Sequence, residues 1–312
     1  MKVCFSIDPP PDTASGGGAK FALGFKKFLE DKGVEVISSY DDRDPPDLIF
    51  MFDPRYLQHS RNWLTIEHIR QLQDKLNSNI PIIHRLNDIG YPKNRPQNYI
   101  SDMVELANRA NHAIYISNYV KDYYNRAVKS PSTVIYNGVD KNVFEVKDYE
   151  FDKIRLVTHH WSTDLLKGWD IYEQLDRWIS TQENVEFTFI GRIPEGINLH
   201  NTKVYPATHG IEMANLIKKS NIYITASRHE PCGMHHLEGL ACGLPYLYHN
   251  EGGGILEVGQ FGLGFNDFED FKNKLSTMSE NHKQYYDKIK DEFECYENNI
   301  FEKYFEIIKS FA

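Results

Sequence analysis

Two carboxylates, Glu230 and Glu238, stand eight positions apart in "RHEPCGMHHLEGLACGLP", among three histidines and next to an apolar run. A carboxylate accepts hydrogen bonds from sugar or ribose hydroxyls, which an apolar side chain cannot do. Pro231 and Gly233 predict a loop, followed by a short helix whose Leu237, Leu240 and Ala241 face a core. Glu230 then sits in the loop and Glu238 in the helix, while free N–H groups from Gly233 to His235 suit an anion. Lys167 in "LLKGWD" falls at the mouth of another helix, where an ammonium and a helix dipole would both meet a diphosphate. By itself, one lysine reads equally as a solvated charge. The triplet Gly16, Gly17, Gly18 in "DPPPDTASGGGAKFALG" follows an apolar strand and opens a helix, so its backbone could approach a phosphate. A flexible surface loop is the competing reading there. A dinucleotide fingerprint is not, because G-x-G-x-x-G read from Gly16 puts Phe21 at the third glycine.

The histidine pairs at 159–160 and 235–236 do not make a ready chelate. Adjacent strand residues point to opposite faces and adjacent helix residues do not share one. No Cys or carboxylate spacing supports zinc either, so no metal site is expected. "DRD" at 42–44 imitates a metal-binding DxD, but it lies in a polar turn beside two prolines.

Elements that alternate apolar runs with helical periodicity must position these residues. "KVCFSI" (2–7), "VEVISS" (34–39), "PDLIFMF" (46–52), "IPIIHRL" (80–86), "HAIYIS" (112–117) and "STVIYN" (132–137) read as strands. Helices are predicted at 19–33, 63–77 and 99–110; in the first, Phe21, Phe25, Phe28 and Leu29 share a face. After the polar segment 140–153 the pattern restarts with "IRLVTHH", a helix from about 168, "VEFTFIG" (185–191), "TKVYPA" (202–207), "NIYITAS" (221–227) and "LPYLYH" (244–249). Such alternation predicts parallel sheets covered on both faces. The fold class is therefore α/β, with two Rossmann-like domains facing each other across a cleft and ligands at the carboxyl ends of the strands. The expected division is 1–145, 146–285 and a helical segment 286–312 that caps the second domain or crosses back to the first.

Composition bounds the function. At 312 residues, 41% hydrophobic and 25% charged, the chain suits a globular protein with two cores. A formal charge of −9 opposes a nucleic-acid partner. No apolar run approaches the roughly 20 residues that span a bilayer, and "MKVCFSIDPP" lacks the apolar region of a secretory signal. Cys4, Cys232, Cys242 and Cys295 show no paired spacing, which predicts reduced thiols and a cytoplasmic location. Peripheral contact with the inner membrane surface needs only a local patch and stays open.

The ordered set "SGGG", "VIYNGVD", the Lys-Gly pair and Glu-x7-Glu within "SRHEPCGMHHLEGLACGLPYL" resembles glycosyltransferase family 4, the retaining enzymes of the GT-B fold. "ANHAIYISNYVKDYY" (110–124) is also similar to that family, and the resemblance covers nearly the whole chain. It implies a nucleotide-sugar donor held mainly by the C-terminal domain and a carbohydrate or lipid-linked acceptor held mainly by the N-terminal one. Carried over by position, Glu230 would bond the donor sugar and Glu238 the ribose. Lys167 would neutralise the diphosphate beside Cys232, Gly233 and Met234, with Gly17 and Gly18 closing over it. No cofactor and no divalent metal are implied. Two departures stand out. The family's phosphate arginine has no counterpart in "HHWSTDLLKG", leaving His159, His160, Ser162 or Arg192 of "FIGRIPEG" to take its place. The histidine that the family sets beside the transferred sugar corresponds to Asn87, followed by Asp88; Asn87 can hydrogen-bond but cannot titrate near neutrality.

Overall fold

The computed structural model describes residues 1–9, 17–41, 43–52, 64–75, 78–93, 95 and 98–311. Ser15 and Gly16 of the glycine loop, and Asp42 of "DRD", lie outside the described residues. The chain divides into two compact units, the first drawn from 1–137 and 298–311, the second from 138–297.

The first unit is built on six parallel strands: β1 (Lys2–Phe5), β2 (Glu35–Ile37), β3 (Leu48–Met51), β4 (Ile82–Leu86), β5 (His112–Tyr115) and β6 (Ser132–Val134), in the order β2-β1-β3-β4-β5-β6. The near-continuous apolar runs of β1 and β3 fit strands covered on both sides, and β4 is buried along its whole length although it carries His84 and Arg85. Its helices are α1 (Gly17–Asp31), α2 (Ile66–Arg70, running on as a π-helical turn over Gln71–Lys75), α3 (Tyr99–Arg109) and α4 (Asn118–Tyr124). Helix α1 buries Phe21, Phe25 and Leu29, four residues apart, against β1 and β3. The same cluster takes in Ile300, Phe301, Tyr304 and Ile308 from the last helix of the chain. A fully buried arginine fixes that helix: Arg85 donates to Tyr304 Oη at 3.2 Å and to Asn137 Oδ1 at 2.7 Å, and lies 3.9 Å from the Phe21 ring centroid.

One buried histidine makes this unit acid-sensitive. His84 in β4 has neither ring nitrogen hydrogen-bonded, and burial pushes its pKa down to about 3. Between the ordinary value of roughly 6.5 and about 3, the unfolded chain binds a proton that the native one refuses. Stability therefore falls on acidification through that window, by about 1.4 kcal/mol per pH unit for this group. His84→Leu should flatten the acid limb of stability, as read by urea unfolding at pH 7 and pH 5. An unchanged limb would mean that the imidazole finds a partner on protonation.

The second unit repeats the architecture: β7 (Ile154–His160), α5 (Trp169–Ile179), β8 (Val185–Gly191), β9 (Lys203–Tyr205), α6 (Gly210–Ile217), β10 (Ile222–Thr225), α7 (His235–Ala241), β11 (Tyr246–His249), β12 (Gly262–Phe265), α8 (Phe268–Glu280) and α9 (His282–Glu292). Helix α10 (Glu297–Lys309) then supplies the residues already placed in the first unit. All strand pairs are parallel, in the order β12-β11-β10-β7-β8-β9. Renumbered within the unit, this is the doubly wound dinucleotide-fold order, whose reversal point lies between β7 and β10. One core cluster centres on Tyr223, Leu237, Leu240 and Tyr246 under α7, and another on Leu156, Tyr172, Phe187 and Phe189 under α5. Among the described residues, no helix is long and apolar enough to cross a membrane.

Candidate functional site

Ligands on open parallel sheets bind at the carboxyl ends of the strands where the order reverses. In the second unit that point is occupied by the loops after β7 and β10, which carry Lys167 and Glu230. After His160 the chain runs through an exposed loop into a single 3-10 turn, Leu165–Lys167, whose Leu166 N–H is capped by Asp164 Oδ1 at 3.0 Å. Gly168 follows at φ +82°, and a Cβ there would stand 2.2 Å from the carbonyl oxygen of Ala226. Glycine alone thus lets the start of α5 lie against the end of β10. The Arg228 N–H donates to Leu166 O at 2.8 Å, and the Arg228 guanidinium grips Asp170 of α5 with two bonds of 2.8 Å.

The far side is pinned just as firmly. Glu230 forms an isolated parallel bridge with Gly253: its N–H donates to Gly252 O at 3.1 Å, and its carbonyl accepts from Gly254 N–H at 2.8 Å. A Cβ on Gly254 would meet the Pro231 carbonyl oxygen at 2.1 Å. "NEGGG" therefore acts as a clamp on the Glu230 backbone. Its preceding residue, His229, adopts φ +53°, a left-handed conformation that costs a non-glycine residue about 1–2 kcal/mol. Between these supports Lys167 Nζ meets Glu230 Oε2 at 2.6 Å, with only 15% and 14% of the two side chains exposed.

Gly168→Ala should be among the most damaging substitutions at this end of the unit. It combines a left-handed backbone with a clash against main chain, so a loss of several kcal/mol is expected, on the order of the larger single-site effects. Thermal unfolding measures it. A melting temperature within a degree of wild type would mean that the α5 entry relaxes without cost.

Glu238 is placed differently. It lies in the first turn of the seven-residue α7 and is almost fully buried, its Oε2 2.6 Å from His159 Nε2. The bonds close into a chain with one consistent proton assignment. The His159 backbone N–H donates to the Tyr223 hydroxyl (3.2 Å), that hydroxyl donates to His159 Nδ1 (3.1 Å), and Nε2–H donates to Glu238. Burial raises the Tyr223 phenol well above its ordinary pKa, which keeps that O–H in place. His160 points the other way, with Nε2 2.8 Å from the Tyr172 hydroxyl. Burial, and then the nearby Lys167 ammonium, hold its pKa well below the usual imidazole value. His235 Nε2 lies 3.0 Å from Thr225 Oγ1, and burial holds this imidazole neutral too. Both histidine pairs are thus committed to the packing of α5 and α7, with each strand neighbour turned to its own face. The turn Cys232, Gly233, Met234 leads into α7 and is buried throughout. A Cβ on Gly233 would stand 2.6 Å from the His235 ring.

Arg192 follows β8 and is exposed, its Cζ 3.8 Å from the ring centroid of Trp161, the residue that follows β7. In the first unit, Gly17 and Gly18 form the exposed first turn of α1, and a Cβ on Gly18 would lie 3.5 Å from Asn87 Nδ2. The buried Asn87 Oδ1 has no hydrogen-bond partner among the described residues. Asp88 is buried and engaged: Arg95 bonds its Oδ2, Lys93 Nζ lies 3.6 Å from Oδ1, and the Ile89 N–H donates to Oδ1 at 2.9 Å. The structure thus gathers Lys167 and Glu230 in one unit, and Gly18 and Asn87 in the other. It sets Glu238 on a histidine and Asp88 on two cations.

Residues 179–298 match the family model described as glycosyl transferases group 1. An uncharacterised glycosyltransferase of Methanocaldococcus jannaschii, MJ1178, is 26% identical over 181 residues, and the match spans 47% of that protein's length. Among solved structures, sucrose-phosphate synthase from Thermosynechococcus elongatus superposes with a TM-score of 0.70 at 13% identity, covering 99% of this chain and 98% of that one. WaaG, a glycosyltransferase involved in lipopolysaccharide biosynthesis, gives 0.69 at 12% identity with 99% of each chain covered. Two parallel six-stranded sheets with this connectivity and these superpositions show the GT-B fold, and the group 1 match lies almost wholly on the second unit.

Proposed function

We propose that the protein is a retaining glycosyltransferase of the family 4 type, which moves a sugar from a nucleotide-sugar donor to a carbohydrate or lipid-linked acceptor. The observation that carries this reading is the Lys167–Glu230 pair at the reversal point of the second sheet. A nucleotide sugar presents phosphate oxygens next to sugar hydroxyls, and this pair presents an ammonium next to a carboxylate. As the bond from the sugar's anomeric carbon to the phosphate oxygen breaks, negative charge grows on the leaving diphosphate. Lys167 and Arg192 stabilise that charge beside the Cys232–Met234 turn, while Glu230 fixes the sugar through its hydroxyls. The acceptor hydroxyl oxygen forms the new bond to the anomeric carbon and passes its proton to the departing diphosphate oxygen. In the first unit, Asn87, whose buried Oδ1 has no partner among the described residues, offers an acceptor for a sugar hydroxyl, and Gly17 and Gly18 beside it leave a backbone that a phosphate can approach. Asp88 supports Asn87 through its grip on Arg95 and Lys93. Glu238 orders α7 and its approach to the ribose. The step needs no divalent metal, so turnover should survive a chelator. Cysteines without paired spacing suit the reducing cytoplasm, at the inner membrane surface if the acceptor is lipid-linked.

Screening nucleotide sugars for ligand-induced stabilisation, then assaying nucleoside diphosphate release with added acceptors, tests the reading. At a hundredfold excess over Kd the right donor should add about 2.7 kcal/mol of stability, and release should depend on acceptor. A donor that stabilises the protein but yields no nucleotide with any acceptor would indicate a sugar-nucleotide binding module instead.

A further inference from the structure

We propose that Trp161 is a positioning residue that holds the Arg192 guanidinium flat as a second diphosphate-binding cation beside Lys167. This rests on the donor-site reading above and adds to it a device that the motifs do not contain. His160 and Gly191 are the last residues of β7 and β8 and partner one another across the ladder, so Trp161 and Arg192 leave adjacent strands side by side. Gly191 makes the approach feasible: its φ is +143°, and a Cβ there would fall 2.0 Å from the His160 carbonyl oxygen. That same carbonyl accepts the Arg192 backbone N–H at 3.3 Å.

The side chain so placed has no acceptor for its guanidinium N–H groups and no carboxylate partner among the described residues; its contact is the Trp161 face at 3.8 Å. Arg228, after β10, shows the contrast, since Asp170 occupies its guanidinium with two bonds of 2.8 Å. Trp161 is itself unusual in leaving 38% of a large aromatic surface in solvent, at the sheet edge where ligands bind. Stacking satisfies the flat face of a guanidinium and leaves its edge donors directed outward, which is the arrangement a planar fork needs to grip two phosphate oxygens.

Lys167 lies in the loop that leaves β7, and the Arg192 backbone is bonded to the carbonyl of His160, the last residue of β7. Both cations are thus carried at the carboxyl end of the sheet, and one of them already holds a carboxylate. A diphosphate carries more charge than Lys167 alone neutralises, and Arg192 supplies the remainder. The rival use of an exposed tryptophan there is a platform for the nucleobase, and the choice of probes separates the two.

Wild type, Trp161→Leu, Trp161→Phe and Arg192→Met are titrated with uridine or guanosine diphosphate, the matching nucleoside and inorganic pyrophosphate, at two salt concentrations. Arg192→Met should weaken nucleoside diphosphate and pyrophosphate about tenfold or more, as expected for lost charge-assisted bonds. Trp161→Leu should weaken both by roughly threefold to tenfold although the arginine is still present, and Trp161→Phe should recover most of the loss. In the Leu and Met variants the salt dependence of diphosphate binding should flatten, while nucleoside binding stays at the wild-type value. Diphosphate affinity unchanged in Trp161→Leu, or an equal loss for the bare nucleoside, would overturn the proposal. If wild type binds none of the probes, the donor-site reading itself fails. If wild type binds and the variants match it, the roles of Trp161 and Arg192 fall and the Lys167 site stands.

Discussion

Glu230→Gln should remove most sugar transfer while tightening the binding of bare nucleoside diphosphate. The two effects have opposite signs because the carboxylate has two partners at different times. In the structure its Oε2 lies 2.6 Å from Lys167 Nζ, and little of either side chain is exposed. A diphosphate must compete with that carboxylate for the ammonium, so removing the negative charge frees Lys167 and should raise nucleoside diphosphate affinity several-fold. A neutral amide accepts sugar hydroxyls more weakly. Losing one charge-assisted bond, at about 1.5–3 kcal/mol, predicts a fall in kcat/KM of roughly 10- to 150-fold. The fold should survive, since main-chain bonds to Gly252 and Gly254 hold residue 230. Lys167→Ala makes the necessary contrast: it should weaken donor and product alike, raising KM with less change in kcat. A Glu230→Gln enzyme that loses product affinity in step with turnover would show that the pair is only structural.

The second large effect is expected at Glu238, on stability. Its carboxylate ends a buried chain of bonds through His159 to Tyr223. Glu238→Ala leaves the imidazole N–H without an acceptor in a place that water does not reach, at a cost of about 1–3 kcal/mol. For a unit of this size that is roughly 2–12 °C in melting temperature. Glu238→Gln keeps an oxygen to accept from His159 Nε2–H and should recover most of the loss. A wild-type melting temperature in the alanine variant, with only donor affinity reduced, would instead make Glu238 a ligand residue and nothing more.

Much of the sheet framework was legible because strands covered on both faces are rich in apolar residues. "VEFTFIG" was predicted at 185–191, and β8 occupies those residues. β12 escaped because Gly262 and Gly264 break the apolar signal of "GLGF", yet these glycines are there for contact: a Cβ on Gly262 would strike the Tyr246 carbonyl oxygen at 1.9 Å. Helix α6 escaped as well, because it is only eight residues long and opens at Gly210, a poor helix former. At the site, loop and helix placement for Glu230, Lys167 and Glu238 followed from punctuation by Pro231, Gly233 and Gly168. The partners did not. Nothing local in "IRLVTHHW" tells that His159 will meet a glutamate 79 residues away, because that contact depends on β7 and β10 being neighbours. Likewise nothing local in "NEGGG" shows its grip on the Glu230 backbone, which exists only because two distant loops lie side by side.

The most direct measurement is a crystal structure with a nucleoside diphosphate bound. The expected result is phosphate oxygens within hydrogen-bond distance of Lys167 Nζ, with the 2.6 Å contact to Glu230 broken. Nucleotide bound elsewhere on the chain, with the lysine and glutamate still joined, would contradict the assignment of the donor site.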